Sequence, residues 1–410
     1  MKGKAFTRRD FLGVSAITGA GLALTACGGA GGAARESIKV GMSRPLTGSQ
    51  AIVGDSAFRP IYETFIAEVN AAGGINVEGR QLPIEPIIYD DTTDVGTMTR
   101  LTEKLILEDK VDFLWPACGT SFVYAQAPIA NNYGYLLITA EGGASTLREM
   151  LPSLPYVFVT LSFSDWYQIP VLAQLLGNAG AKTAFVTYVA DLHGIEYSGV
   201  AGIEFPKVGI DVVGLRSLPP DMTDFSGVIR AAQDSEADVF CMFAYPDQIM
   251  PMTGTCMELG YNPKAMIGGP GVNFGFYHTA FGPMTEGILG FTSYHPSQSP
   301  ALQALADKLY AGKPEDVQDF WGHPLYWAGL EIWKQAVEQA GTLDQEAIRD
   351  IVATQRFQTV LGETWFENGL LAKDCHMGEI GQWQNGVYQV VGPDNRATAP
   401  IIYPKPAWGG

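Results

Sequence analysis

The residue types that carry most enzyme chemistry are present but never grouped. Five histidines (His193, His278, His295, His323 and His376) are scattered without metal-ligand spacing. No GxGxxG fingerprint, Walker A loop, GxSxG elbow or HExxH helix occurs, so an enzyme reading has no positive support and neither metal nor cofactor is expected. Cys375-His376 is a single adjacent pair and reads as structural. Cys118, Cys241, Cys256 and Cys375 match no CxxC pattern; export permits disulfides but the sequence assigns no pair, and most of the four are expected as buried free thiols. Asp90-Asp91 ends an apolar stretch. Two carboxylates there have the charge for a cation, but Thr92 and Thr93 behind them favour turn and N-cap chemistry. One local group has a clear binding mechanism. Gly119, Thr120 and Ser121 lie between a strand and a helix, where hydroxyls and free backbone N–H groups suit a carboxylate. Ser and Thr are also ordinary N-caps.

The elements that must position these residues alternate. Ser37–Met42 alternates apolar residues with period two, a strand, and Ala57, Ile61, Phe65 and Val69 mark one helical face that stops at Gly73-Gly74. Strands at Ile84–Asp90, Val111–Trp115 and Leu136–Ala140 with helices at 95–108 and 124–131 complete a β-α-β-α-β-α-β series. After a Pro- and aromatic-rich passage the pattern restarts. Strands follow at Ala184–Ala190, Asp211–Leu218, Ala237–Tyr245 and Ala265–Gly269, with helices at 194–206, 224–235 and 248–259, then at 301–310, 326–340 and 345–354. The fold class is α/β, with two doubly wound parallel-sheet lobes. Ligands in such sheets sit beyond the carboxyl ends of the strands, which singles out 115–121, 140–144, 190–194, 245–247 and 269–274. With two lobes the natural site is the cleft between them.

Composition narrows the partner class. The 26 Lys and Arg against 43 Asp and Glu leave a formal charge of −17, which argues against a nucleic-acid partner. Hydrophobic residues at 47% exclude a disordered chain. The aromatics are ordinary core filler unless they sit on loops; Trp115, Phe163, Trp166, Tyr245, Phe274 and Trp321 are candidates for a cleft lining. The N-terminus reads as an address. Lys2, Lys4, Arg8 and Arg9 precede an uncharged stretch from Phe11 to Ala26, too short for a membrane span of about 20 residues. Thr7–Leu12 (TRRDFL) resembles a twin-arginine export signal. Leu24-Thr25-Ala26-Cys27 resembles a lipobox, which would make Cys27 the acylated N-terminus. Residues 27–36 then form a flexible tether. Losing Lys2, Lys4, Arg8, Arg9 and Asp10 with the signal takes the charge from −17 to −20.

Several motifs in order carry a family resemblance. They are Pro45-Leu46-Thr47-Gly48 with Gly54, Asn70–Ile75 (NAAGGI), Tyr89-Asp90-Asp91, Ala127-Pro128-Ile129 and Trp365-Phe366-Glu367-Asn368-Gly369. Across about 37–391 the chain resembles the leucine/isoleucine/valine-binding family, the substrate-binding proteins of branched-chain-amino-acid-type ABC transporters with the type I periplasmic binding fold. The resemblance implies a monomeric receptor in the periplasm or on the outer face of the membrane. It would be anchored through Cys27 and would close on a small solute and dock on an ABC permease. It also implies three crossing segments, near 155–165, 286–295 and 360–372. Lobe one would hold 37–158 and 292–365, and lobe two 159–291 and 366–410. Residue by residue, the ligand carboxylate falls on Thr120 with Ser121 beside it, and a backbone loop on Glu141, Gly142 and Gly143. Pocket side chains fall on Tyr245, on His193 before Gly194, and near Trp321. The acidic residue that pairs with a ligand ammonium falls on Pro270, which carries no charge. Burying an unpaired ammonium costs several kcal/mol. Either Glu141, Asp247 or Asp191 supplies the carboxylate, or the ligand has no ammonium; His193 would then suit an acidic ligand. Transport of an amino acid, or of an aromatic or other organic acid, is the leading expectation. A ligand-sensing regulator of the same fold is the alternative.

Overall fold

The computed structural model describes residues 35–142, 145–161 and 164–409; the segment expected to be an export signal, Cys27, Gly143 and Phe163 lie outside the described residues. The first lobe opens with Ile38–Arg44 (β1), Arg59–Ala71 (α1), Ile84–Asp90 (β2), Val95–Leu107 (α2) and Phe113–Leu114 (β3). Thr120–Asn132 (α3), Leu137–Thr139 (β4), Ser145–Met150 (α4) and Val157–Val159 (β5) follow. The second lobe runs Ile169–Ala179 (α5), Thr183–Val189 (β6), Leu192–Lys207 (α6), Asp211–Leu218 (β7) and Ser226–Asp234 (α7). It continues with Val239–Phe243 (β8), Pro246–Glu258 (α8), Ala265–Gly268 (β9), Gly275–Phe281 (α9) and Leu289–Thr292 (β10). The chain returns to the first lobe with Pro300–Tyr310 (α10), His323–Ala340 (α11), Gln345–Thr354 (α12), Phe366–Glu367 (β11) and Leu370–Leu371 (β12). It ends in the second with Glu379–Gln384 (β13) and Val387–Gly392 (β14).

Parallel pairing dominates, as the alternation requires. The first lobe carries β2-β1-β3 and β11-β12-β5-β4, and the second a seven-stranded sheet ordered β14-β13-β10-β9-β8-β6-β7. Only β11, β13 and β14 run antiparallel to their neighbours in these sheets. The apolar run of β8 (VFCMF), which could equally be a helix core, is a strand with parallel neighbours on both sides. All five of its side chains are buried, which explains the absence of alternation. Helix α1 buries Ile61, Tyr62, Phe65 and Val69, a stripe of helical period, and packs on α11.

The crossings fall later than expected. They lie at 160–168, 293–299 and 372–378, between the last strand of one lobe and the first element of the other. The third moves furthest. Asn368 and Gly369 both take positive φ (53° and 79°), the two-residue hairpin turn that folds β12 back on β11. β12 then pairs in parallel with β5, so residues 366–371 complete the first sheet rather than opening the second lobe.

His376 ties two crossings together. Its Nε2 lies 2.7 Å from the Ser293 carbonyl oxygen, and burial pushes its pKa down to about 4. The folded protein therefore holds a neutral ring, whereas the unfolded chain protonates near 6.5. Stability is full above about 6.5 and falls as pH drops toward 4, by about 3 kcal/mol at most. Denaturant titrations at pH 7.5 and 4.5 should show that loss in the wild type and a smaller one in His376→Gln. Equal slopes for the two would remove His376 as the cause.

Candidate functional site

The carboxyl ends of the strands bring the candidates together, as that rule for open sheets requires. From lobe one come Arg44 at the end of β1, the loop 115–119 after β3, and Glu141-Gly142 after β4. From lobe two come Asp191 after β6, Tyr245 after β8 and Gly269 after β9.

Thr120 occupies the first turn of α3 and is 7% exposed. The helix begins four residues earlier than its apolar pattern suggests. Gly119 before it takes φ 101°, a conformation other residues rarely adopt, and the N-terminus has no side-chain cap. Its first backbone N–H groups, including that of the half-buried Ser121, therefore lack intrahelical acceptors. Together with the helix dipole they form an anion receptor. The loop after β4 buttresses it: the Gly119 amide donates to the Glu141 carbonyl at 2.9 Å. A Cβ at Gly142 would lie 2.8 Å from the Gly119 carbonyl oxygen, so only glycine permits this approach.

The other side of the cleft answers with Tyr245. Its phenol lies close enough to Asp191 and to Thr120 of lobe one for both to act on its ionisation. Desolvation, reinforced by Asp191, pushes the phenol well above its ordinary range and keeps it a donor. Asp191 is the N-cap of α6, accepting from the Gly194 amide at 3.0 Å. A Cβ at Gly194 would meet the Val189 carbonyl oxygen at 2.1 Å, so glycine lets α6 start directly against β6. Phe58 of lobe one faces Phe274 of lobe two, 6.3 Å between ring centroids.

His193 is packed into the protein beside the other strand-end residues. It is 3% exposed, its Nε2 lies 3.1 Å from the Gly269 carbonyl oxygen, and its ring stacks on Tyr245 at 5.0 Å. Burial lowers its pKa, so it is a neutral prop for the Tyr245 ring and not a cation for an acidic ligand. Glu141 already has a cationic partner within the protein, although its Oε2 has no hydrogen-bond partner among the described residues. Arg44 and the Tyr62 hydroxyl both donate to its Oε1. The guanidinium also donates to the Gly54 carbonyl oxygen at 3.1 Å and lies 5.1 Å from the Tyr62 ring centroid. Both side chains of the pair are buried (3% and 0% exposed), and Glu141 holds Arg44 firmly protonated despite the cost of burial. Asp247 stands exposed on the first turn of α8. Of the three acids considered, Asp191 is the one close enough to act on the Tyr245 phenol.

The aromatic candidates divide. Trp115 is core, within 5.4 Å of Tyr62 and Trp333 by ring centroid. Trp166 is exposed, under Arg148 at 4.7 Å. Trp321 is buried, its amide donating to Asp319 at 2.7 Å and its carbonyl accepting from Ser293 of the second crossing. Asp90 binds the amides of Leu46, Thr47 and Thr92, and Asp91 that of Thr93, which is turn chemistry. Among the described residues no cluster of His, Cys, Asp and Glu is suited to a metal. Arg44 and Tyr62 went unanticipated; the available signal was one arginine closing an apolar strand.

Two lobes, strand-end loops facing each other and three crossings decide the class. The family model for periplasmic binding proteins matches residues 37–386. The chain belongs to that family. This periplasmic binding protein is 24% identical to Leu/Ile/Val-binding protein homolog 8 of Brucella suis biovar 1 (strain 1330), over 95% of its own length and 98% of that protein's. Its fold matches the branched-chain amino acid transporter substrate-binding protein LivJ of Streptococcus pneumoniae, solved with isoleucine, at TM-score 0.74 and 19% identity over 87% and 100% of the two chains. It equally matches an ABC-transporter solute-binding protein of R. palustris solved with 4-hydroxybenzoate, at TM-score 0.75 and 19% identity over 91% and 99%. The family is one of solute-binding receptors of ABC transporters, which puts this binding protein outside the cytoplasm.

Proposed function

We propose that this binding protein captures a small carboxylate-bearing solute between its lobes and delivers it to an ABC permease. The reading rests on the uncapped start of α3, where Thr120 is buried, with the Tyr245 phenol and Asp191 close by on the other lobe. The solute carboxylate sits on the α3 amides and the Thr120 hydroxyl. Tyr245 and Asp191 meet its other polar end, and Gly142 lets the two loops close round it. In this reading an amino acid is the first choice, because Asp191 can replace the charge that Pro270 lacks. An aromatic or other organic acid is the second, supported by the 4-hydroxybenzoate complex of a structural relative. Residues 7–12 direct export by the twin-arginine route and Cys27 carries the lipid that keeps the monomeric receptor near its permease.

A thermal-shift screen over amino acids, organic acids and aromatic acids tests the class, since stabilisation rises with the logarithm of free ligand above its dissociation constant. Thr120→Val should weaken whichever carboxylate binds by about 1–3 kcal/mol. An unchanged affinity removes Thr120 from the site, and a screen in which no carboxylate shifts the transition removes the class. The mass of the mature N-terminus tests the anchor; a free thiol at Cys27 would exclude it.

A further inference from the structure

One carboxylate of lobe two grips lobe one. Glu196 lies on α6, one turn beyond His193. Its Oε2 accepts from the Ser145 amide, and its Oε1 from the Thr146 amide at 2.8 Å and the Thr146 hydroxyl at 2.6 Å. Ser145 and Thr146 open α4 in lobe one, so a side chain of lobe two caps a helix of the other lobe. The same short helix is held a second time, by Arg148 over the Trp166 ring at 4.7 Å. Two ends of one mechanical linkage are visible. α6 carries Asp191 at its N-cap and Glu196 in its second turn, and α4 follows directly on the Glu141-Gly142 loop that buttresses α3.

From this we infer that Glu196 is a closure latch, a positioning residue that sets how tightly and how long the solute is held. These three bonds span the lobes, so separating the lobes breaks them. Both carboxylate oxygens are engaged by α4, so the latch acts through the population of the closed form. Solute affinity therefore includes a factor common to every ligand, supplied by a group that recognises none of them. The inference rests on the receptor reading but not on which solute is bound.

The test uses the full mature chain and three probes, L-leucine, L-phenylalanine and 4-hydroxybenzoate, with Kd and dissociation rate measured for each that binds. Glu196→Ala should weaken every bound probe by the same factor, about tenfold for the loss of charge-assisted bonds, chiefly through faster dissociation. Glu196→Gln, which keeps an acceptor but not the charge, should fall between. Thr146→Val removes one donor, and combined with Glu196→Ala it should add nothing further. Each variant should still unfold in one cooperative solute-free transition, which shows that it is folded. Unchanged affinity, or a loss confined to one probe, overturns the latch while leaving the receptor reading intact. Should no probe bind, small-angle scattering decides. A larger radius of gyration in Glu196→Ala than in the wild type supports the latch, and equal radii overturn it.

Discussion

Replacing Arg44 with methionine should cost about 3–5 kcal/mol of folding stability, the largest loss expected from any single change outside the main core. The residue is buried at the end of β1 and its guanidinium is shared between the Glu141 carboxylate, the Gly54 carbonyl and the Pro116 carbonyl. Methionine fills much of the space but leaves a carboxylate buried without its cation, beside the Tyr62 hydroxyl. Glu141 would then keep a proton in the folded state that it loses on unfolding, so its folded pKa lies above the unfolded value near 4.3. The variant is therefore least impaired below that value and loses stability as pH rises toward neutrality. Urea titrations at pH 5 and pH 8 should separate the two conditions. Adding Glu141→Gln should recover a large part of the loss at pH 8. A single variant as stable as the wild type at both pH values would show that the pair contributes nothing.

Asp191→Asn should split ligands by class. Asparagine keeps the cap on α6, because its side-chain oxygen can still accept from the Gly194 amide. What disappears is the charge beside Tyr245. For a solute with an ammonium group the loss should be about 2–5 kcal/mol, the range for removing one partner of a desolvated charge pair. L-phenylalanine and 3-phenylpropanoate, which differ by that group alone, make the comparison by calorimetry. If the natural solute is a zwitterion, the first should lose affinity steeply and the second barely change. If it is an organic acid, 3-phenylpropanoate should bind the variant more tightly than the wild type, since a like charge has gone. Equal losses for both would mean that Asp191 acts only through the fold.

The strand–helix alternation and the loops that meet in the cleft were legible because they rest on local periodicity. Thr120 was legible for the same reason, as a hydroxyl where a strand gives way to a helix. Glu141 was legible as a residue but not in its role, since its partner Arg44 is 97 positions away and nothing in either neighbourhood pairs them. The surroundings of His193 were hidden for a different reason. A histidine on a loop and one buried on a helix look alike until Tyr245 and the Gly269 carbonyl are placed around it. The Asn368-Gly369 turn was in plain view as a hairpin signal, but the flanking strands are two residues each, too short to show alternation. The latch was invisible because Glu196 bonds to backbone amides, which no side-chain pattern announces.

The late return of the chain to both sheets governs the order in which the molecule can be made. β12 fills the first sheet beside β5, and β13 and β14 finish the second beside β10. A ribosome must therefore reach Leu371 before lobe one can close and Gly392 before lobe two can. Neither lobe can be expressed by cutting the chain once, and both nascent lobes expose an unfinished sheet edge until synthesis is almost over. Any tag or fluorophore meant to report on folding belongs after Gly392.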